Sequence, residues 1–172
     1  MLPDDVRDRV TSYIKYQATK PPDAIIALVR ESQTKFLDII ADVDEATAAR
    51  KPAPDEWSLR ELIRHVVEAE SGVARLVSRL AAGEAPDGRT DAGAVGGDDG
   101  ATFADYVHRL RETNAALIAA IEELPAAPDL EATSLHPFFG PLNCKEWAAF
   151  QKVHDEDHVQ HARKILAVVG EG

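Results

Sequence analysis

Three histidines, His154, His158 and His161, recur at intervals of four and three in VHDEDHVQHARKI, and a fourth, His65, stands in ELIRHVVEAE. On a helix, residues four apart lie on adjacent turns of one face, so His154 and His158 can grip one ion, the arrangement that makes H-E-x-x-H a zinc pair. A pair alone is a weak ligand set. His65, from a separate element, raises it to three neutral nitrogens, which leaves room for water or substrate and marks a catalytic rather than a structural site. Three uncharged ligands also leave an ion its full double charge, and with it the capacity to lower the pKa of bound water or to deprotonate a coordinated thiol. The competing reading is a row of neutral core histidines, each needing partners for two ring nitrogens. A divalent cation meets that need for several imidazoles at once. His161, one turn further on, is open to three roles: ligand, donor to a ligand, or proton carrier. Asp157, Glu61 and Glu68 are the nearest carboxylates for orienting the imidazoles.

The element that must carry this row is a last helix from Asn143 to Leu166. At about 100° per residue, Trp147, Phe150, His154, His158, His161, Ile165 and Val168 project within about 40° of one direction, which defines a core-facing seam. His65 lies on a helix from Ser58 to about Ala82 that sets Leu62, Val66, Ala69, Val73, Leu76 and Leu80 toward a core. Ser58 and Glu61 form a capping box at its start, so Glu61 reads first as a cap and Glu68 as a solvated edge residue. Gly72 leaves a gap in packing near His65. Two more long helices are expected, over 23–43 and from Thr102 to Leu124, the latter with Asn114 interrupting its apolar seam and His108 off it. A short helix from Pro3 to about Ala18, with Val6, Val10, Tyr13 and Gln17 on one side, precedes them and ends at Pro21-Pro22. The stretch 44–57 carries two prolines and reads as a loop. The Gly- and Asp-rich stretch 83–101 reads as a flexible loop, and 126–142, with LHPFFGPL, as an apolar loop able to cover a cavity. No segment reads as a strand. His136, in that last loop, reads as a turn or surface histidine with a conceivable lid role. Cys144, in the first turn of the last helix, reads as inert.

Four long helices with connections of about 14 to 20 residues, longer than the usual span, describe an all-α, four-helix bundle in which at least one connection crosses an end. The 172 residues fit a single domain, 1–172, with residues 1–20 as an additional helix. With 30 acidic against 19 basic residues, the net charge of -11 repels a phosphate backbone and an anionic bilayer alike, so neither nucleic acid nor membrane is an expected partner. The absence of a basic, apolar leader and of a membrane-length apolar run points to a cytoplasmic protein. A single cysteine excludes an intrachain disulfide and a cysteine-based zinc site.

EWSLRELIRHVVEAE, followed by HPFFGPLNCKEWAAFQKVHDEDHVQHARKI, resembles the DinB/YfiT-like superfamily of metal-dependent enzymes. In that family a Trp-Ser pair opens the second helix, a histidine follows about one and a half turns later, and the last helix carries H-x-x-x-H. Here these are Trp57, Ser58, His65, His154 and His158, and the likeness runs from Ala24 to Val169. The resemblance implies a four-helix bundle, often a homodimer, whose histidines hold a divalent ion such as zinc, nickel or iron. It also implies transferases that use low-molecular-weight thiols, including a mycothiol-dependent maleylpyruvate isomerase. One position departs from the pattern: His161 stands where a glutamine is usual.

The expectation is therefore a metal-dependent thiol S-transferase acting on a small electrophile, with metal ligands His65, His154 and His158 and with His161 or Asp157 managing the proton. The alternatives are metal-assisted hydrolysis and a non-catalytic, dimeric metal- or ligand-binding bundle of the stress-response kind. In the homodimer the apolar side of the N-terminal helix is a candidate contact.

Overall fold

Helix starts in this chain are set by side chains that satisfy the orphan amides of the first turn. Ser58 Oγ accepts from the Glu61 amide while Glu61 Oε2 accepts from the Ser58 amide at 2.7 Å, the expected capping box. Thr102 with Asp105 and Asn143 with Glu146 repeat the device. In the computed structural model, which describes residues 3–86 and 99–170, these caps open three of six helices. The elements are α1 (Asp4–Ala18), α2 (Pro22–Ile40), α3 (Glu45–Ala49), α4 (Leu59–Ala81), α5 (Phe103–Glu122), β1 (Ser134–His136), β2 (Gly140–Leu142) and α6 (Cys144–Val169).

The four long helices form the bundle, with α4 on α5 and α6, and α2 on α5 and α6. Their apolar residues fall into two clusters stacked along the bundle. Val29 of α2, Val73 to Leu80 of α4, Leu117 to Ile121 of α5 and Trp147 to Phe150 of α6 meet in one, with Ile14 of α1. Phe36 and Ile40, Leu59 to Val66, Phe103 to Leu110, and Val159 to Ile165 meet in the other. The order in which each helix visits the clusters fixes its direction: α2 and α6 run one way, α4 and α5 the other. Parallel neighbours cannot be joined by a short turn, so the chain crosses from one end to the other between Ala81 and Phe103. The flexible loop expected at 83–101 falls mostly on residues 87–98, outside the described residues.

Four expectations need correction, the last two in the faces of α6 and α1. The stretch 44–57 is not all loop: Asp44 accepts from the Thr47 amide at 2.7 Å and starts the five-residue α3, whose Ala48 is fully buried. The absence of strands also fails. β1 and β2 pair antiparallel, Ser134 opposite Leu142 and His136 opposite Gly140, and Gly140 takes φ +76 where a side chain would be strained. The alternation here is inverted, with Ser134 and His136 buried and Leu135 exposed, so no apolar period announces the hairpin. Lastly, Val168 is 60% exposed and lies outside the α6 seam. The apolar side of α1, expected at Val6, Val10, Tyr13 and Gln17, centres instead on Ile14, Gln17 and Ala18, and it packs on α6 within the same chain.

Asn143 caps α6 through two amides, Lys145 at 3.1 Å and Glu146 at 3.0 Å. Asn143→Ala should therefore lower unfolding free energy by about 1 kcal/mol, and Asn143→Asp should retain most of it, as read by urea denaturation.

Candidate metal centre

Between the two apolar clusters the helices turn polar residues inward at the same level: Ser32 and Gln33 from α2, Glu70 from α4, Thr113 and Asn114 from α5, and Gln151 and Asp155 from α6. The histidines lie at one side of this layer. His65 comes from α4 and His154 and His158 from consecutive turns of α6, which packs directly on α4. One ligand atom from each of the three lies within 4.8 Å of the others. His154 Nε2 and His158 Nε2 are 3.1 Å apart, and the His65 ring centroid is 5.6 Å from that of His154 and 4.9 Å from that of His158. The sequence expectation that imidazoles from two helices meet is thus met in the geometry.

Burial explains their protonation. His65 is held down at about 4, first by desolvation and then by the neighbouring His154 and His161. His158 is driven further down, to about 2, by desolvation first and then by His154, His65 and His161. Neutral imidazoles are the form that binds a cation. Two nitrogens bound to one ion at about 2.1 Å are about 3.4 Å apart at the tetrahedral angle, close to the spacing of this Nε2 pair. Without a cation, only one of the two facing nitrogens can donate to the other. His158 Nδ1 is buried with no partner among the described residues. With the proton on Nδ1, the Nε2 lone pair faces the other rings, as ligation requires. The residues fit a divalent metal.

His154 Nδ1 has Gln151 Nε2 at 3.5 Å and Asp155 Oδ1 at 3.9 Å. Asp155 is in turn fixed by Gln151 Nε2 donating at 2.6 Å and Ser32 Oγ donating at 2.8 Å. Glu70 accepts from Gln33 Nε2 at 2.7 Å and Thr113 Oγ1 at 3.1 Å. The Asn114 amide, oriented so that its nitrogen faces Glu70, donates to both carboxylate oxygens. Burial, and after it the charge of Asp155, push the Glu70 carboxyl well above the usual range. The expected orienting carboxylates lie elsewhere: Glu61 caps α4 and pairs with Lys51 at 2.9 Å, while Glu68 and Asp157 are exposed. Asp155 takes the position beside His154 because it lies on the buried side of α6, and Asp157, two residues on, points outward.

An open groove of about 720 Å³ adjoins the cluster, lined in part by Trp57, Asp157, His158, His161, Ile165 and Val168. The Trp57 ring stacks on His161 with centroids 5.9 Å apart and tilts against His65 at 5.2 Å. His161 stands 6.3 Å from the His158 ring, at the groove side and not among the three converging nitrogens. Cys144 is fully buried, its thiol pushed up first by desolvation.

His136 is not a surface histidine. It is 3% exposed, its ring packs on Phe139, Trp147 and Phe150, and its Nδ1 accepts from the Phe138 and Phe139 amides. Phe150 then touches His154, so the hairpin braces the helix that carries the site. Desolvation, with a smaller contribution from His154, holds His136 at about 4. The unfolded chain takes up that proton near pH 6.5, so the folded state loses stability as pH falls from about 6.5 to 4, at about 1.4 kcal/mol per pH unit for one group. In metal-free protein, His136→Gln should remove a slope equivalent to one proton, measured by chemical denaturation across that range.

Residues 28–162 match the family model of the DinB superfamily. No curated protein matches the chain. Among solved structures, the chain is similar to TT2238, a four-helix bundle protein, with a TM-score of 0.63, 20% identity, and coverage of 83% of this chain and 98% of that one. It is also similar to YfiT from Bacillus subtilis, described as a probable metal-dependent hydrolase with an unusual four-helix bundle topology, with a TM-score of 0.64, 13% identity and 87% of each chain covered. With the family match spanning most of its length and the expected bundle in place, the chain belongs to the DinB superfamily.

Proposed function

We propose that this protein is a metal-dependent enzyme acting on a small molecule, with one divalent ion, zinc, nickel or iron, held by His65, His154 and His158. The observation that carries this reading is the convergence of three ligand atoms within 4.8 Å at the side of an open groove. Bound there, such an ion supplies Lewis acidity toward an oxygen or sulfur donor presented from the groove. The chain's own residues do the rest. Desolvation keeps His65 and His158 unprotonated, and Asp155 Oδ1 stands 3.9 Å from His154 Nδ1. His161, half-buried against Trp57 at the groove, is placed to carry a proton. Asp157, on the adjacent turn of α6, lies on the groove wall beside it.

Two reactions fit this frame. Hydrolysis of an ester or amide is supported by the description of the structural neighbour YfiT and by a groove wide enough to admit water together with a small substrate. Thiol S-transfer to an electrophile, with a low-molecular-weight thiol as second substrate, is supported by the sequence resemblance alone. Hydrolysis is the reading with more behind it. A homodimer and a cytoplasmic setting belong to the same proposal, with the dimer contact placed away from the apolar side of α1.

Elemental analysis of protein purified without added metal should find about one divalent ion per chain, and His65→Ala, His154→Ala and His158→Ala should each lose most of it while keeping the helical signal. Retention of metal by all three variants would overturn the ligand set. Turnover of an ester or amide by metal-loaded protein, absent after chelation, supports hydrolysis. Turnover of an electrophile only with added thiol supports transfer, and metal binding without either leaves the binding module.

His161→Gln should lower turnover by about 10²-fold or more and flatten its pH profile while leaving metal content unchanged, as expected for a proton carrier. Loss of the ion with His161→Gln would make it a ligand instead.

A further inference from the structure

The charge around the groove is lopsided. Asp55 and Glu56, from the loop before α4, and Asp157, from α6, line it together with one cation, Lys164. All three carboxylates are exposed, and none is engaged in an ion pair among the described residues. The apolar part of the same groove is formed by Trp57, Ile165 and the largely exposed Val168. Indole is the side chain with the strongest attraction for a cation at its face. A net negative rim beside an apolar, aromatic wall favours a positively charged group on a flat or aliphatic body, and it repels carboxylates and phosphates.

We infer that the groove selects small cationic amphiphiles: molecules whose donor atom reaches the three histidines and whose distal end carries a positive charge among Asp55, Glu56 and Asp157. This rests on the reading that the groove is where substrate approaches the ion. It narrows that reading, because it disfavours anionic substrates and anionic thiols. The charge selectivity itself belongs to the groove and persists with or without the metal.

The test uses three probes that share one ring and differ in charge: benzyltrimethylammonium, benzyl alcohol and benzenesulfonate. Each is titrated into metal-loaded and into chelated protein, following the indole N–H resonance of Trp57, with buried Trp147 as internal reference. The expected order is cation, then neutral, then anion, with at least about fivefold between the extremes. The order should collapse in the Asp55→Asn, Glu56→Gln, Asp157→Asn variant and, for the unaltered protein, at high salt. Equal or tighter binding of benzenesulfonate in chelated protein would overturn the inference, as would a charge order that survives both neutralisation and salt. The cation preference in chelated protein, together with no divalent ion on elemental analysis, would remove the metal reading and keep this one, so the two fail separately.

Discussion

Everything distinctive about this bundle follows from the need to satisfy a layer of polar groups placed halfway along its core. An unpaired buried polar group costs about 1–3 kcal/mol, and an unpaired charge more. Each of the four long helices contributes to the layer, and α2 is bonded through it to the other three, so none can slide or rotate without breaking a bond to a neighbour. Gln33 of α2 and Thr113 of α5 both hold Glu70 of α4, and Ser32 of α2 holds Asp155 of α6. The apolar clusters above and below supply the stabilisation. The layer supplies the register, and the register brings His65 to the level of His154 and His158.

Helix direction matters as much as helix level. A ligand from α4 meets a pair from α6 because those two helices are antiparallel neighbours, while α4 and α5 run parallel. That order demands a long connection where a simple bundle would use a short turn. The long, glycine-rich stretch in the sequence is the consequence of this topology. The hairpin solves a related problem at the start of α6. It carries His136 into a stack with Trp147 and Phe150, and Phe150 reaches His154, so the first turns of α6 are clamped next to the site.

Period and capping made most of this legible beforehand. Long helices with 3/4 spacing, the Ser58 box and the His154/His158 pair are local signals, and local signals survive folding. The inverted hairpin was not legible, because burial of Ser134 and His136 depends on what α6 brings to them. The buried carboxylates do carry a sequence signal. Glu70 interrupts the apolar row Ile63, Val66, Val73, Val77, and Asp155 lies in the row Ala148, Gln151, Val159, Ala162. A carboxylate in an apolar row of helical spacing is a stronger pointer to a buried polar site than an acidic residue merely close in sequence to the histidines, as Glu61, Glu68 and Asp157 are. Asp157 and Asp155 are two residues apart and face opposite ways, a distinction that rests on the exact angular placement of the seam.

The layer is graded from inside to outside. Glu70 and Gln151 are wholly buried, Asp155 is nearly so, His158 is at the margin, and His154 and His161 are partly open. Carboxyl groups are therefore deepest, Glu70 held toward its neutral form by burial and by the charge of Asp155, with neutral imidazoles in front of them and the groove beyond. Two buried carboxylates without a buried cation among the described residues would be a poor choice if stability were the only demand, since apolar side chains of similar size would serve as well or better. The order makes sense for a site built to hold positive charge at the imidazoles: Asp155, beside His154, would offset that charge through a medium that screens little. With a cation there, the neutral histidines would be its contacts while the protein's own charge acted from a distance, and the groove side of the cluster would be left for a guest.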